Sequence, residues 1–208
     1  ALLSSSVLQR LYKETYRAEL RPPETFEEYN RIASFFTRRL NPSSPVNFGS
    51  TLTLGNTGVA ATEFLARYFS LTDHLFDPED NILLTSEEAV RALELLVAVR
   101  QYAPPTYCNW WRDTSRLFAQ GDVAMTVLFS NYASEMLDRD SKVHTRIGYA
   151  MVPGRNPLLG GGSIGVCKYS HHKQEALNFI RWFCSEEVSS ATTLMGSVSP
   201  CRKTYNNY

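Results

Sequence analysis

The sequence predicts an α/β fold, and three observations carry that expectation. Stretches with apolar residues at helical spacing alternate with short apolar runs of strand length, the helical stretches open on capping signals, and Pro, Gly and Asn clusters mark the joins. The 208 residues are enough chain for one large domain with a real core, so neither a disulfide framework nor a zinc staple is needed. A hydrophobic share of 43% with 20% charged residues excludes disordered and collagen-like classes. Twenty-one basic residues cancel 21 acidic ones, so no global field attracts a phosphate backbone or an anionic bilayer, and nucleic acid drops out as a partner. The aromatic share of 12% favours packing and stacking on a ligand.

The clearest local signal is Pro22-Pro23-Glu24-Thr25-Phe26-Glu27-Glu28, where Thr25 caps a helix and Glu28, three residues on, closes a capping box. The helix starts at Phe26, places Phe26, Tyr29, Ile32, Ala33 and Phe36 on one core face, and ends at Asn41-Pro42. Val46 to Leu54 reads as a strand, followed by a helix opened by Asn56-Thr57-Gly58 and running through Val59, Phe64, Leu65 and Tyr68. Thr85 and Glu88 open a third helix with Val90, Leu93 and Val97 inward and a Glu87/Arg91 pair outward, ended by Pro104-Pro105. A helix from Trp111 to Ala119 closes at Gly121, and Val123 to Phe129 is an apolar strand of the kind buried on both faces. Asn131 begins a further helix. Ile147 to Val152 and Ile164 to Lys168 read as strands around a Pro153–Gly162 loop, and Gln174 to Phe183 as a helix with Ala176, Leu177, Ile180 and Phe183 inward.

No run approaches the roughly 18 apolar residues of a membrane span; the richest, residues 92–99, is broken by Glu94. The expectation is a soluble chain whose targeting signal, if any, has been removed or lies on sequence preceding Ala1. Cys108, Cys167, Cys184 and Cys201 form no C-x-x-C; they are expected as buried or half-buried thiols, with a single bridge left open.

Gly161-Gly162-Ser163-Ile164-Gly165 matches the G-x-S-x-G nucleophile elbow of hydrolases, which needs a strand before the Ser, a helix after it, and then an acid and a His. A strand is expected after Ser163, His171 and His172 open the next helix, and no acid intervenes. Catalysis by Ser163 therefore ranks below a glycine loop whose backbone closely approaches something. The loop also lacks the Lys of a phosphate loop. Adjacent Trp110 and Trp111 cannot share one helix face, so one is expected in the core and the other exposed as a stacking platform. His171-His172 and Arg38-Arg39 read as solvated helix ends, without a metal set.

Several motifs occur in order. Leu11-Tyr12-Lys13 and Pro22 to Tyr29 are similar to a strand and "P-x-T-W-x-E" helix start, and Phe118-Ala119-Gln120-Gly121-Asp122-Val123-Ala124-Met125 to an "F-x-x-G-x-x-A-M" turn. Ile147 to Gly154, Gly160 to Gly165 and Glu175 to Ile180 follow a "G-x-x-x-x-P-G", "G-G-x-s-x-g-i", "A-x-x-F-i" succession, and Gly196 to Arg202 a "G-x-x-P-x-R" loop. Together they resemble the extracellular solute-binding proteins of ABC importers, carbohydrate type and maltose-binding-protein-like, with Phe26 in place of the usual Trp and the aromatic near Asn131 displaced to Tyr132.

The resemblance implies an incomplete type II periplasmic-binding-protein-like lobe with part of the second lobe, since members run to about twice this length, beyond a typical single domain. Residues 1–146 would be the C-terminal lobe, 147–185 a segment of the N-terminal lobe and 186–208 a return to the C-terminal lobe. The implied function is binding a carbohydrate or similar polar solute between lobes that close by hinge motion, then delivery to membrane permease subunits, without catalysis, cofactor or metal. The implied location is extracellular, as a lipoprotein or periplasmic protein. The implied cleft residues are Ser6, Asn56, Thr57, Trp111, Asn131, Tyr132, Gly161, Gly162 and Ser163, a set of aromatic faces, amides, hydroxyls and backbone N–H groups that suits a sugar. A sensory or interaction domain of the same fold is the alternative, and a Ser163 hydrolase the third reading. Unpartnered edges in the 147–185 segment would drive the isolated chain to self-associate.

Overall fold

A computed structural model describes residues 2–205. The chain forms two compact units, Ala1–Leu128 with Glu135–Leu158 and Phe129–Ser134 with Leu159–Tyr208.

In the first unit the helices are α1 (Ser6–Tyr16), α2 (Phe26–Phe35), α3 (Thr57–Tyr68), α4 (Glu87–Val99) and α5 (Trp111–Ala119). Strands β1 (Phe48–Ser50) and β2 (Val123–Met125) pair in parallel, Phe48 opposite Val123 and Ser50 opposite Met125. A parallel pair needs a long crossover, and the chain between the strands supplies it with α3, α4 and α5. Helix α2 starts where its sequence dictates but stops at Phe35, short of the Asn41-Pro42 end expected. Thr25 Oγ1 accepts from Glu28 N at 3.2 Å, and Phe26, Tyr29, Ile32, Ala33 and Phe36 are all buried. The Glu28 carboxylate takes the N–H of Glu24, at 2.8 Å, where a closed capping box would have taken that of Thr25. Leu8, Tyr12, Leu52, Leu95, Val99 and Met125 complete the core around α2.

Four expectations change here. Leu11-Tyr12-Lys13 lies inside α1, because Leu8 and Tyr12, one turn apart, both bury. The 46–54 strand narrows to three residues: Thr51 N still reaches Met125 O at 3.3 Å, but Thr53 N turns to the Glu63 carboxylate at 3.1 Å. The 123–129 strand likewise shortens to β2. Helix α4 is capped one residue later than expected, by Ser86 Oγ accepting from Ala89 N at 3.2 Å, and it is rotated. Ala89, Ala92, Leu95, Leu96 and Val99 face inward, while Val90, Leu93 and Val97 are exposed. Tyr68 packs on Ala89 and Ala92 with Phe64 beside it, so aromatic bulk on α3 selects the small-residue face. Arg91 accordingly pairs with Glu27 at 2.9 Å and Glu94 at 3.1 Å, not Glu87.

The stretch 147–158 is held to the first unit by Gly154 N donating to Glu24 O at 2.7 Å and Asn156 Nδ2 to Asp73 Oδ1 at 2.8 Å. Gly154 has φ +85°, and a Cβ there would meet Ser70 at 2.3 Å, so both conformation and close approach require glycine. The short helix α6 (Ala133–Leu137) runs from the second unit into the first.

The second unit contains the 3₁₀ turn Ser130–Tyr132, α7 (Lys173–Phe183), α8 (Glu186–Leu194) and a closing 3₁₀ turn, Arg202–Tyr205. Residues 147–152 and 164–168 form no strands among the described residues; a strand exists only through a ladder partner. For α7 the helix forms as expected, but none of its residues is buried, and Leu177 and Phe183 of the expected inward face are exposed. Cys108 is buried and Cys201 half-buried, whereas Cys167 and Cys184 are exposed, and all four are free thiols. Among the described residues no helix is long and apolar enough to cross a membrane.

Candidate functional site

In the first unit two helix N-termini meet beside a pair of indoles. Asn56, in extended conformation, caps α3 by accepting from Gly58 N at 3.0 Å, and Thr57 is the first helical residue; both are exposed. Trp110 precedes α5, and Asp113 Oδ2 accepts its N–H at 3.1 Å. The two helix starts are joined because Gly55 N donates to Cys108 O at 3.0 Å. A Cβ at Gly55 would lie 2.0 Å from Asn109 Oδ1, so only glycine permits this approach. The Trp110 and Trp111 rings are 4.6 Å apart and tilted by 58°. Trp110 is exposed and Trp111 half-buried, so neither is the core residue that adjacency suggested. A helix N-terminus presents oriented N–H donors, and an indole face beside it adds apolar area.

A buried polar network lies beneath. Thr53 Oγ1 and Thr114 Oγ1 share a 2.7 Å hydrogen bond, and Thr53 N donates to Glu63 Oε1. Glu63 Oε2 pairs with Arg67, whose side chain is almost wholly buried, at 2.9 Å, and the Arg67 guanidinium stacks 4.8 Å over the Phe26 ring. Ser115 Oγ donates to Glu135 Oε2 at 2.5 Å, and Glu135 Oε1 takes Arg112 Nε at 2.7 Å. Burial pushes the Cys108 thiol above its ordinary pKa, against a lowering hydrogen bond from Thr114. Sequence reasoning passed over this network. Its visible signals were Glu63 and Arg67 one turn apart among apolar residues, and the Thr114-Ser115 pair inside a helix.

The remaining expected residues are placed as follows. Ser6 is the exposed first residue of α1, with Ser5 at the cap position. In the second unit, Asn131 is exposed and Tyr132 half-buried in the 3₁₀ turn, Tyr132 N donating to Phe129 O at 3.1 Å. Gly161, Gly162 and Ser163 are exposed, and a Cβ at either glycine would meet no protein atom within 4 Å, so the loop makes no close backbone approach to the protein itself at these two positions. That approach occurs at Gly160, where a Cβ would lie 2.7 Å from the Phe129 ring. Ser163 Oγ has no hydrogen-bond partner among the described residues, and neither strand nor helix flanks it, so the elbow geometry is not formed. No cluster of His, Cys, Asp and Glu among the described residues could hold a metal.

The first unit thus combines a parallel strand pair, crossed over by helices, with solvent-facing helix starts. Residues 7–207 match the bacterial extracellular solute-binding protein family, and the chain belongs to it. It is 26% identical over 196 residues, 91% of its length, to the probable amino-acid ABC transporter periplasmic-binding protein y4oP of Sinorhizobium fredii, of which it spans 44%. The maltose-bound MalE3 of T. maritima superposes with a TM-score of 0.76 at 20% identity, over 94% of this chain and 51% of that one. A ribitol-complexed ABC transporter solute-binding protein from Agrobacterium radiobacter gives a TM-score of 0.73 at 21% identity, over 94% and 50%. These likenesses establish the type II periplasmic-binding fold, and the chain spans about half the length of the relatives it matches.

Proposed function

We propose that the chain forms part of a carbohydrate- or polyol-binding protein of an ABC importer, which delivers its solute to membrane permease subunits from an extracellular or periplasmic position, held there by a lipid anchor or free. The observation that carries the reading is the junction of the two helix starts at Gly55, which sets Asn56, Thr57 and the indole pair together. Amide, hydroxyl and backbone N–H groups would take the solute's hydroxyls, and the indole faces its apolar side. Asn131, Tyr132, the 161–163 loop and Ser6 complete the proposed set. The maltose and ribitol in the two structural relatives support a polyhydroxylated solute. We assign residues 1–146 to the C-terminal lobe, 147–185 to a segment of the N-terminal lobe and 186–208 to a return to the C-terminal lobe; the two compact units divide the chain elsewhere, at 128, 134 and 158.

The test is a thermal-shift screen of sugars, polyols, amino acids and peptides on the full-length protein, followed by calorimetry on Trp111→Ala and Tyr132→Ala. A sugar or polyol hit weakened by about tenfold or more, the loss of a stacked aromatic, is expected. A hit confined to amino acids, or affinity unchanged in both variants, would sink the proposal.

A further inference from the structure

Helix α5 is anchored unlike its neighbours. Its buried residues are Thr114 and Ser115, both wholly inaccessible, whereas α2 and α4 bury mainly apolar residues. Apolar contact is non-directional, so it selects which face of a helix is buried but tolerates small rotations about that setting. A hydrogen bond weakens steeply when its angle or length drifts, and therefore fixes both. Each hydroxyl here has a partner that is itself held. Thr114 meets Thr53 at 2.7 Å, whose N–H is taken by Glu63, and Ser115 donates to Glu135 at 2.5 Å, whose other oxygen holds Arg112. A bond from a neutral hydroxyl to a carboxylate is short and strong.

Trp111 lies one turn before Ser115 on the same face of α5, and Trp110, the extended cap residue, stands four residues before Thr114. The Trp110 carbonyl accepts from Thr114 N at 3.2 Å, so a rotation set at Thr114 is passed directly to the indoles. We propose that Thr114 and Ser115 are positioning residues, whose hydroxyls fix the angle at which α5 presents the Trp110/Trp111 pair. Their effect on affinity rests on the solute reading given above; their effect on the indoles does not.

Two indoles this close and oblique couple their electronic transitions and give a couplet in circular dichroism, which Trp110→Phe identifies by abolishing it. In the full chain, Thr114→Val and Ser115→Ala are expected to change the couplet's sign or reduce it to about half or less, while Thr114→Ser, which restores the hydroxyl, retains it. Val99→Ala, a core truncation remote from α5 in sequence, is expected to lower the melting temperature and leave the couplet alone. Should Thr114→Val fail to fold, Glu135→Gln, similar in shape but uncharged, carries the same expectation. With the tightest sugar or polyol of the screen as probe, Thr114→Val should weaken binding about tenfold and Thr114→Ser less than about twofold. A couplet unchanged in folded Thr114→Val and Ser115→Ala, or changed equally by Val99→Ala, overturns the proposal. A changed couplet with no sugar or polyol bound supports the positioning role and sinks the solute reading instead.

Discussion

Glu63→Leu isolates the contribution of the buried ion pair. The Arg67 side chain is 2% exposed and that of Glu63 10%, and Arg67 Nε has no partner among the described residues, so the guanidinium depends on the Glu63 carboxylate and carbonyl. Removing one partner of a buried pair costs about 3–5 kcal/mol, because the remaining charge stays desolvated. The same substitution orphans Thr53 N, in a residue of zero exposure, for a further penalty of about 1–3 kcal/mol on its own. The two sites share one carboxylate and are not additive, and Phe26 beneath the guanidinium offsets part of the loss. The expected net loss is about 4 kcal/mol, or a fall in melting temperature of about 8–16 °C for a domain of this size. Urea and thermal unfolding followed by circular dichroism measure it. The double variant Glu63→Leu/Arg67→Met removes both charges and should recover more than half of the loss, since apolar replacement of a whole buried pair is often neutral. Equal stability of the single and double variants would refute the reasoning.

Three further outcomes follow from particular contacts. Gly49→Ala places a Cβ 1.8 Å from the Ala33 carbonyl oxygen, a backbone atom that cannot swing away, so a loss of about 3 kcal/mol or more should appear in thermal melts; a variant as stable as wild type would contradict the packing of β1 on α2. Burial pushes the Tyr29 hydroxyl up to about 12, against a lowering bond from Ser50; the unfolded phenol ionises near 10 while the folded one stays neutral, so stability is intact below pH 10 and falls by about 1.4 kcal/mol per pH unit between the two values. Tyr29→Phe should flatten that alkaline slope in unfolding titrations, and an unchanged slope would assign it elsewhere. Phe179, Trp182 and Phe183 leave an exposed aromatic patch on α7; the isolated chain should self-associate in light scattering and Trp182→Glu should reduce this, whereas a monomer at high concentration would show that the patch is tolerated in water.

The helices were legible in the sequence where a cap and a periodic face agreed. The helices at Phe26, Thr57 and Trp111 all start within a residue of their signals, because a cap and an apolar stripe are local properties of a helix; the Asn41-Pro42 stop is missed, since α2 already ends at Phe35. Helix α4 shows where local reading stops. Its sequence offers two apolar faces, Val90/Leu93/Val97 and Ala89/Ala92/Leu95/Leu96/Val99, and periodicity alone cannot rank them. Tyr68 ranks them, because its ring needs alanine-sized neighbours, and that is a contact between helices rather than a property of either.

The candidate site divides along the same line. Asn56 and Thr57 announce themselves as a helix start, and Trp111 as a large residue at another, but nothing local says that the two starts meet. They meet because Gly55 lacks a Cβ that would strike Asn109, and because Thr53 and Thr114, 61 positions apart, share one hydrogen bond. A threonine at position 53 reads as an ordinary strand residue and one at 114 as a weak helix former. Only pairing turns their hydroxyls from a burial cost into a fixed geometry, since a buried hydroxyl without a partner opposes folding. The glycine loop at 160–165 is the converse case. Its motif is visible, yet its backbone at 161 and 162 is open on the Cβ side, because a glycine pattern records that side chains are absent and leaves unstated what occupies the space.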